Sequence, residues 1–428
     1  MKFESLCVLG LGYIGLPTAS TFATHGMEVR GVDVNQRVVD ILRDGEVHIK
    51  EPGLRTLVQA AFHSKKLTVE AQPAPADAFI IAVPTPMTED KKADLSNVER
   101  AAESIVPHLA AGNLVVLEST CPPRTTLDMV LPILETNGLK AGADFHLVYS
   151  PERVLPGKIL HELIENARVV GGVTPESAQA GRDLYRTFVR GDIQLTDATT
   201  AEMVKLMENT YRDVNIALAN EFSHLADTFG VDVWRAIELA NLHPRVEVLR
   251  PGPGVGGHCI GIDPWFLVEA APEATALIHQ ARTINDNQPA YAVSQIARSL
   301  GGSLEGRIIA ALGLSYKADV DDLRESPAIE VVEELVEAGA EVRTYEPHAA
   351  KAKVTGAEAA ASIEEVLEGA EAVVLLVDHE AFRSLDPQEA AARMKGRTAF
   401  DSRGVWPREK WRQAGFELKI LGVGGANG

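Results

Sequence analysis

The residue types best suited to chemistry cluster between residues 251 and 266, in P-G-P-G-V-G-G-H-C-I-G-I-D-P-W-F. Four glycines and two prolines fall within 251–257, so this stretch can continue neither a helix nor a central strand. It must be a loop with unusual torsions and close neighbours. Cys259 follows, with Asp263 four residues on: a thiol nucleophile beside a carboxylate able to act as base or orienting group. A cysteine among apolar neighbours is more often a small core hydrophobe. The glycine-rich approach and the adjacent His258 argue instead for a thiol that meets a bulky ligand. Cys7 lies in an apolar run and reads as core. Cys121 is the competing thiol, because it precedes a helix start where a thiolate would be stabilised.

Three further groups carry chemistry. Residues 6–15 read L-C-V-L-G-L-G-Y-I-G, an apolar strand opening G-x-G-x-x-G and then a helix, with Asp33 about 20 residues on at the end of a second strand. Gly10 permits the tight turn, Gly12 lets a pyrophosphate approach the backbone at the helix N-terminus, and Gly15 permits close packing of helix on strand. Asp33 would accept from a ribose 2′-hydroxyl and repel a 2′-phosphate, which favours NAD over NADP; Arg37 is placed on the adenosine. Lys205, Asn209 and Arg212 follow one another at i, i+4 and i+7, and so project from one helix face. Finally, Lys317, Arg324 and Arg403 are cations suited to a diphosphate on an otherwise acidic chain.

The elements that must position these residues alternate. Strands over 78–83, 114–119 and 146–149 are separated by helical stretches, which predicts a parallel, doubly wound sheet with ligand at the strand carboxyl ends. The loops leaving those ends carry Thr85, Thr120 and Glu152-Arg153, expected to line the nicotinamide end. The Ala198–Phe229 stretch is the longest helical pattern, a spine joining domains and an expected oligomer interface. A second helical stretch runs over 269–300. After a linker at 300–306, strand patterns at 307–312, 341–345, 372–377, 398–400 and 418–421 describe a second α/β domain without G-x-G-x-x-G. The expected fold class is therefore α/β, with two Rossmann-like doubly wound domains joined by a long central helix and a helical dimerisation region. The expected boundaries are 1–197, 198–300 and 301–428.

Bulk properties bound the function classes. The 428 residues exceed one ordinary core. No apolar run is long enough to span a membrane. Lys and Arg number 41 against 60 Asp and Glu, a net charge of −19, which disfavours nucleic acid and anionic membrane as partners. Three widely spaced cysteines, and a start that leads directly into a strand pattern without a signal peptide, are expected of a cytoplasmic protein. No metal-ligand pattern is found.

Along almost its whole length the chain resembles the nucleotide-sugar 6-dehydrogenases, the group of UDP-glucose dehydrogenase. The carriers are G-L-G-Y-I-G-L-P at 10–17, S-P-E-R-V-L-P-G at 150–157, A-E-M-V-K-L-M-E-N-T-Y-R-D-V-N at 201–215 and H-P-R at 243–245. To these add the 251–260 loop and Y-K-A-D-V-D-D-L-R-E-S-P at 316–327. The resemblance implies a four-electron oxidation of a sugar C6 alcohol to a carboxylate, with two NAD and one water. Either Lys205 or an Asp263–water pair near Thr120 removes the hydroxyl proton. Cys259 adds to the aldehyde, and a thioester follows. Water hydrolyses it, activated by Asp263 or Glu152, with Lys205 and Asn209 stabilising the oxyanion.

The same resemblance puts Tyr13, Ile14 and Thr85 on the cofactor. It puts Arg153, Val154, Arg212, Gly256 and Tyr316 on a UDP-sugar lying between the domains. Arg245, with His243, would reach the neighbouring active site of a homodimer. Ile262 and Pro156 stand where UDP-glucose enzymes carry a lysine and a second glutamate. That departure favours a UDP-N-acetylhexosamine, and the S-P-E-R-V-L-P-G and H-P-R-V forms resemble the N-acetylmannosamine branch more than the N-acetylglucosamine one. Two other classes compete. A two-electron hydroxyacid or polyol dehydrogenase would need no thiol, and a nucleotide-sugar binding protein would form no NADH.

Overall fold

Short apolar runs ended by glycine turns build two sheets, seen in a computed structural model that describes residues 2–424. The chain falls into two compact units. One runs to Glu208 and includes Glu269–Pro272; the other takes Asn209–Val268 and the chain from Glu273 onward.

In the first unit, β1 (Ser5–Leu9), β2 (Glu28–Val32), β3 (Leu67–Glu70), β4 (Ala78–Ile81), β5 (Leu114–Leu117), β6 (His146–Tyr149), β7 (Arg168–Gly172) and β8 (Ile193–Asp197) form one sheet. Its order is β3-β2-β1-β4-β5-β6-β7-β8. The chain leaves β1 for one side and returns at β4 on the other, so a crevice opens at the carboxyl ends of β1 and β4. Apolar cores cover both faces, one around Val8, Ile80 and Val116, the other around Leu9, Phe79 and Leu117. That explains why β4 and β5 read as unbroken apolar runs rather than alternating ones.

The alternation predicts a parallel sheet, and the structure departs from it at one edge: β7 pairs antiparallel with β6, and β8 then runs parallel to β7. A short 159–165 helix reverses the chain within one edge instead of crossing over. β3, β7 and β8 had no clear signature. In β7 the run R-V-V-G-G opens with a charge and ends in two glycines.

In the second unit, β9 (Ile308–Leu312), β10 (Glu341–Tyr345), β11 (Glu358–Ala359), β12 (Ala372–Leu375), β13 (Thr398–Asp401) and β14 (Glu417–Ile420) form an all-parallel sheet ordered β11-β10-β9-β12-β13-β14. Its switch point lies between β9 and β12. The Ala198–Phe229 helix is one continuous element of 32 residues. The stretch expected as one helix over 269–300 is broken into Asp263–Ala270, Ala276–Asp286 and Gln288–Ser299. Pro272 and Pro289 lack the N–H that would carry a helix through those points. Among the described residues no helix is long and apolar enough to cross a membrane.

Candidate active site

In the first unit the turn after β1 has the form a dinucleotide needs. Gly10 has φ +91°, and a Cβ there would sit 2.5 Å from the Ala82 carbonyl oxygen. A Cβ on Gly15 would overlap the Gly10 carbonyl, so that helix and strand could not approach. At Gly12 a Cβ would meet nothing within 4 Å, leaving a cradle at the helix start. Asp33, half-buried at the end of β2, accepts from Leu11 N (3.0 Å) and Asn35 N (2.9 Å). The donors and the space fit a dinucleotide, with Tyr13 and Ile14 in the turn itself and Arg37 exposed one helical turn beyond Asp33.

At the ends of β4 and β5, the Thr85 hydroxyl donates to the Thr120 carbonyl (2.7 Å), bringing the two threonines together. Beneath them lies a charge cluster that sequence reasoning missed. Arg168 donates to Glu118 (3.1 Å) and to Glu152 (2.7 Å), stacks 4.1 Å over the Tyr185 ring, and is buried with both carboxylates. Tyr185 donates to Glu118 at 2.5 Å. Burial pushes the Glu118 carboxyl up to about 7, against the opposing pull of Arg168. The other Glu152 oxygen accepts from Arg153 N (2.7 Å). Both of its oxygens are therefore engaged, which favours an orienting part over that of a general base. The clue was an acid ending the apolar run L-V-V-L-E.

Arg153 is held bidentate by Glu208 (3.0 and 2.6 Å), and Val154 packs against the core of this unit. Lys205 is half-buried, and its ammonium makes no hydrogen bond or ion pair among the described residues. Cys121 is fully buried with its sulfur 3.8 Å from Glu202, a carboxylate that would oppose a thiolate. Cys7, also fully buried, is pushed up to about 11 by that burial. None of the three cysteines forms a disulfide.

The second unit holds the partly exposed thiol. Cys259 ends the glycine loop, and its carbonyl accepts from Asp263 N (2.8 Å) and Ile262 N (3.1 Å), one turn before the Asp263–Ala270 helix. Asp263, buried, accepts from the Asn209 amide at 2.5 Å, and the Asn209 oxygen accepts from Arg212 at 2.5 Å. A carboxylate on one side and a guanidinium on the other fix which way the Asn209 amide faces. Its second N–H makes no hydrogen bond among the described residues.

The glycines of the loop are explained by what presses on them. A Cβ at Gly256 would meet the Glu325 carbonyl and Tyr316 Cβ, one at Gly257 the Tyr316 ring at 2.8 Å, and one at Gly252 the Arg403 guanidinium at 2.6 Å. The loop, Tyr316 and Arg403 are thus one packed assembly. Asn220 and Gln288 fix it from below by bonding Gly252 N (3.0 Å) and Gly252 O (2.9 Å). Arg324 is paired with Asp322 (2.9 and 2.6 Å), and Arg403 with Asp378 (3.3 Å). Lys317 is exposed and makes no ion pair among the described residues. His243 and Arg245 are exposed, with His243 accepting from Arg245 N at 3.4 Å. Asp319, His348 and His379 bring ligand atoms within 4.8 Å of one another, but both His379 nitrogens are already engaged.

Residues 4–189, 199–287 and 310–408 match the NAD binding, central and UDP binding domains of the UDP-glucose/GDP-mannose dehydrogenase family. The chain belongs to that family. It is an NAD-dependent nucleotide-sugar dehydrogenase, similar from end to end to curated relatives. One, the UDP-N-acetyl-D-mannosamine dehydrogenase of Methanococcus maripaludis, is 48% identical, covering 98% of this chain and 97% of that protein. Another, the NDP-N-acetyl-D-galactosaminuronic acid dehydrogenase of Ralstonia solanacearum, is also 48% identical, over 96% of this chain and 98% of that protein. A solved structure of the UDP-D-ManNAc dehydrogenase of Pyrococcus horikoshii superposes with a TM-score of 0.92 at 42% identity, covering 98% and 99% of the two chains.

Proposed function

We propose that this dehydrogenase oxidises the C6 alcohol of UDP-N-acetyl-D-mannosamine to the carboxylate, a four-electron reaction that passes through a thioester on Cys259. The full-length similarity to relatives named for that sugar carries the substrate. The pairing of Asn209 with Asp263 beside the Cys259 turn supports the nucleophile. NAD bound at the Gly10–Gly12–Gly15 turn would accept a hydride from C6 in each oxidation, and the Asp33 carboxylate favours it over NADP by repelling a 2′-phosphate.

The protein's own residues supply the rest. Lys205, or a water on Asp263 near Thr120, takes the hydroxyl proton as the alcohol becomes an aldehyde. Cys259 Sγ then bonds to the aldehyde carbon, giving a thiohemiacetal. The second hydride and the hydroxyl proton then leave, the proton to the same base, and the thioester remains. Water adds to that carbon, its proton passing to Asp263 or Glu152, and the C–S bond breaks to return the thiolate and release the carboxylate. Both Glu152 oxygens already accept, from Arg168 and from Arg153 N, and would have to release a donor to take that proton. The Lys205 ammonium and the spare Asn209 N–H stabilise the oxyanion, an effect worth about 3–4 kcal/mol per donor in comparable sites.

Lys317, Arg324 and Arg403 hold the diphosphate, with Tyr316 and Gly256 beside it; Arg153, Val154 and Arg212 serve the sugar. The chain acts as a homodimer, in the cytoplasm, with Arg245 and His243 reaching into the neighbouring site. Exposed apolar residues spaced by three, four or seven support a second copy along the spine helix: Tyr211, Leu218, Phe222, Leu225 and Phe229.

NADH formed per sugar tests the whole reading, with UDP-N-acetylmannosamine, UDP-N-acetylgalactosamine, UDP-N-acetylglucosamine and UDP-glucose compared for wild type and Cys259→Ala. Two NADH per sugar, fastest with the first substrate and abolished in the variant, is the expected outcome. One NADH per sugar, or an unaffected variant, removes the thioester. A faster rate with another sugar reassigns the substrate.

A further inference from the structure

The second sheet repeats the first bond for bond around its switch point. Gly10 and Gly313 both follow the first strand of their sheet with φ near +90° (+91° and +92°). Gly10 N donates to Val32 O (2.8 Å) and Gly313 N to Tyr345 O (3.0 Å). Leu11 N donates to Asp33 (3.0 Å) and Leu314 N to Glu346 (2.8 Å); Asn35 N donates to Asp33 and His348 N to Glu346, each at 2.9 Å. Glu346 therefore stands where the ribose-reading acid stands in the first copy.

The copies then diverge. Asp33 is half-open, whereas Glu346 is buried, takes a further N–H from Ser315 (3.0 Å), and is closed off by the fully buried His379 ring, whose Nε2 lies 3.0 Å from it. The other ring nitrogen faces Asp319 N at 2.8 Å. An amide N–H can only donate, so Nδ1 accepts and the ring proton sits on Nε2, directed at Glu346. Glu346 is buried and its Oε2 already meets three donors, from Leu314, Ser315 and His379, so it is closed to a ribose and the repeated network must serve something else.

What it serves is the loop that carries Lys317. On one side of Lys317, Ser315 is fixed through its N–H by Glu346, and its hydroxyl, 3.3 Å from His379 Nε2, donates to the Lys317 carbonyl (2.7 Å). On the other side, Asp319 adopts φ +60°, a conformation few non-glycine residues hold unaided. It is fastened by its N–H to His379 and by its carboxylate to Glu380 N (3.0 Å). The residue before His379 is Asp378, which pairs with Arg403. Two adjacent residues after β12 therefore govern both the Lys317 loop and the Arg403 guanidinium.

We infer that His379 is a positioning residue for nucleotide binding: its Nδ1 bond to Asp319 N and its Nε2 bond to Glu346 hold the 315–319 loop so that Lys317 and Arg403 meet the same diphosphate. The inference rests on the proposed placing of the diphosphate at Lys317.

Calorimetric titration of the full-length protein with UDP, and separately with NAD, tests it using Lys317→Ala, His379→Gln, His379→Asn and Ser315→Ala. Asparagine keeps an acceptor near the Nδ1 position, whereas glutamine keeps only the far donor. Expected are losses of UDP affinity of about tenfold or more for Lys317→Ala and His379→Gln, several-fold for Ser315→Ala, and no more than about threefold for His379→Asn, with NAD affinity unchanged throughout. If Lys317→Ala weakens UDP binding but His379→Gln does not, His379 has no positioning role and the diphosphate reading stands. If Lys317→Ala binds UDP like wild type, the diphosphate reading itself falls. Equal losses in the Gln and Asn variants would reduce His379 to a packing residue, and Ser315→Ala at wild-type affinity would remove the latch on Lys317.

Discussion

Two thiols in this chain stand near carboxylates, and their surroundings separate them. Cys121 is sealed in the core, with its sulfur directed at Glu202, whose own carboxyl is raised by burial despite the Thr126 and Arg124 donors around it. Charge on that sulfur would be opposed by the carboxylate and by the apolar core in which Cys121 is packed. Cys259 is partly exposed at the end of a glycine loop, and the nearby Asp263 carboxylate accepts from the Asn209 amide. The buried Glu118 makes a residue-scale prediction about stability. Its folded carboxyl titrates near 7 against an ordinary 4.5, so the folded state keeps a proton that the unfolded chain has lost across that interval. The contribution to stability is complete below about pH 4.5 and is lost as pH rises through about 7. Glu118→Gln cannot ionise, yet it keeps an oxygen for Tyr185 and Arg168. Urea midpoints at pH 5, 6.5 and 8 should show the variant gaining on wild type as pH rises. A constant gap between the two curves would mean that Glu118 stays ionised in the folded protein.

At the scale of elements, the glycine loop is shaped by the 316–327 segment rather than by its own sequence. Gly256→Ala would drive a methyl group into the Glu325 carbonyl and Tyr316 Cβ, and since neither is a flexible side-chain end, the loop carrying Cys259 must move. A displacement near 1 Å at a reacting atom costs about 100-fold in rate, so kcat should fall by about that factor while NAD affinity holds, because the Gly10 turn belongs to the other unit. Stopped-flow kinetics beside NAD titration checks this, and a variant with wild-type kcat would show that the loop tolerates repositioning.

The same elements show what could be read beforehand. β6, β10 and the spine helix were legible to the residue, because each is a periodic or apolar run with clear breakers at its ends. The antiparallel turn of β7 onto β6 was not, since strand direction depends on distant partners and leaves no local pattern. Nor was the break at Pro272 legible in a stretch whose periodicity continues past it. The nearness of Asn209 to Asp263, 54 positions apart, came only from the family resemblance. His379, in the run L-L-V-D-H-E, carries no local signal, because its importance lies in bonds to residues 33 and 60 positions away.

For the molecule as a whole, a net charge of −19 and an anionic nucleotide sugar are compatible only if cations are concentrated where the diphosphate lies. On the proposed placing of the diphosphate, Lys317 and Arg403 fill that need, and Arg245 does not: it is exposed, on the segment after the Val233–Ala240 helix, with no acidic partner among the described residues. An arginine in that condition fits a site on another copy, and the apolar stripe from Tyr211 to Phe229 offers the surface on which that copy would pack. Complementation decides between its own site and a neighbour's. Cys259→Ala and Arg245→Ala chains, each inactive alone, are co-expressed with different tags and the mixed dimers are isolated. If Arg245 serves the neighbouring subunit, the mixed dimer has one site with an intact Cys259 and an intact arginine supplied across the interface. It should then recover about half of the wild-type rate per dimer. If Arg245 serves its own subunit, every site in the mixed dimer lacks one residue and no activity returns. Elution of the wild-type chain as a monomer at assay concentration would dispose of the shared site altogether.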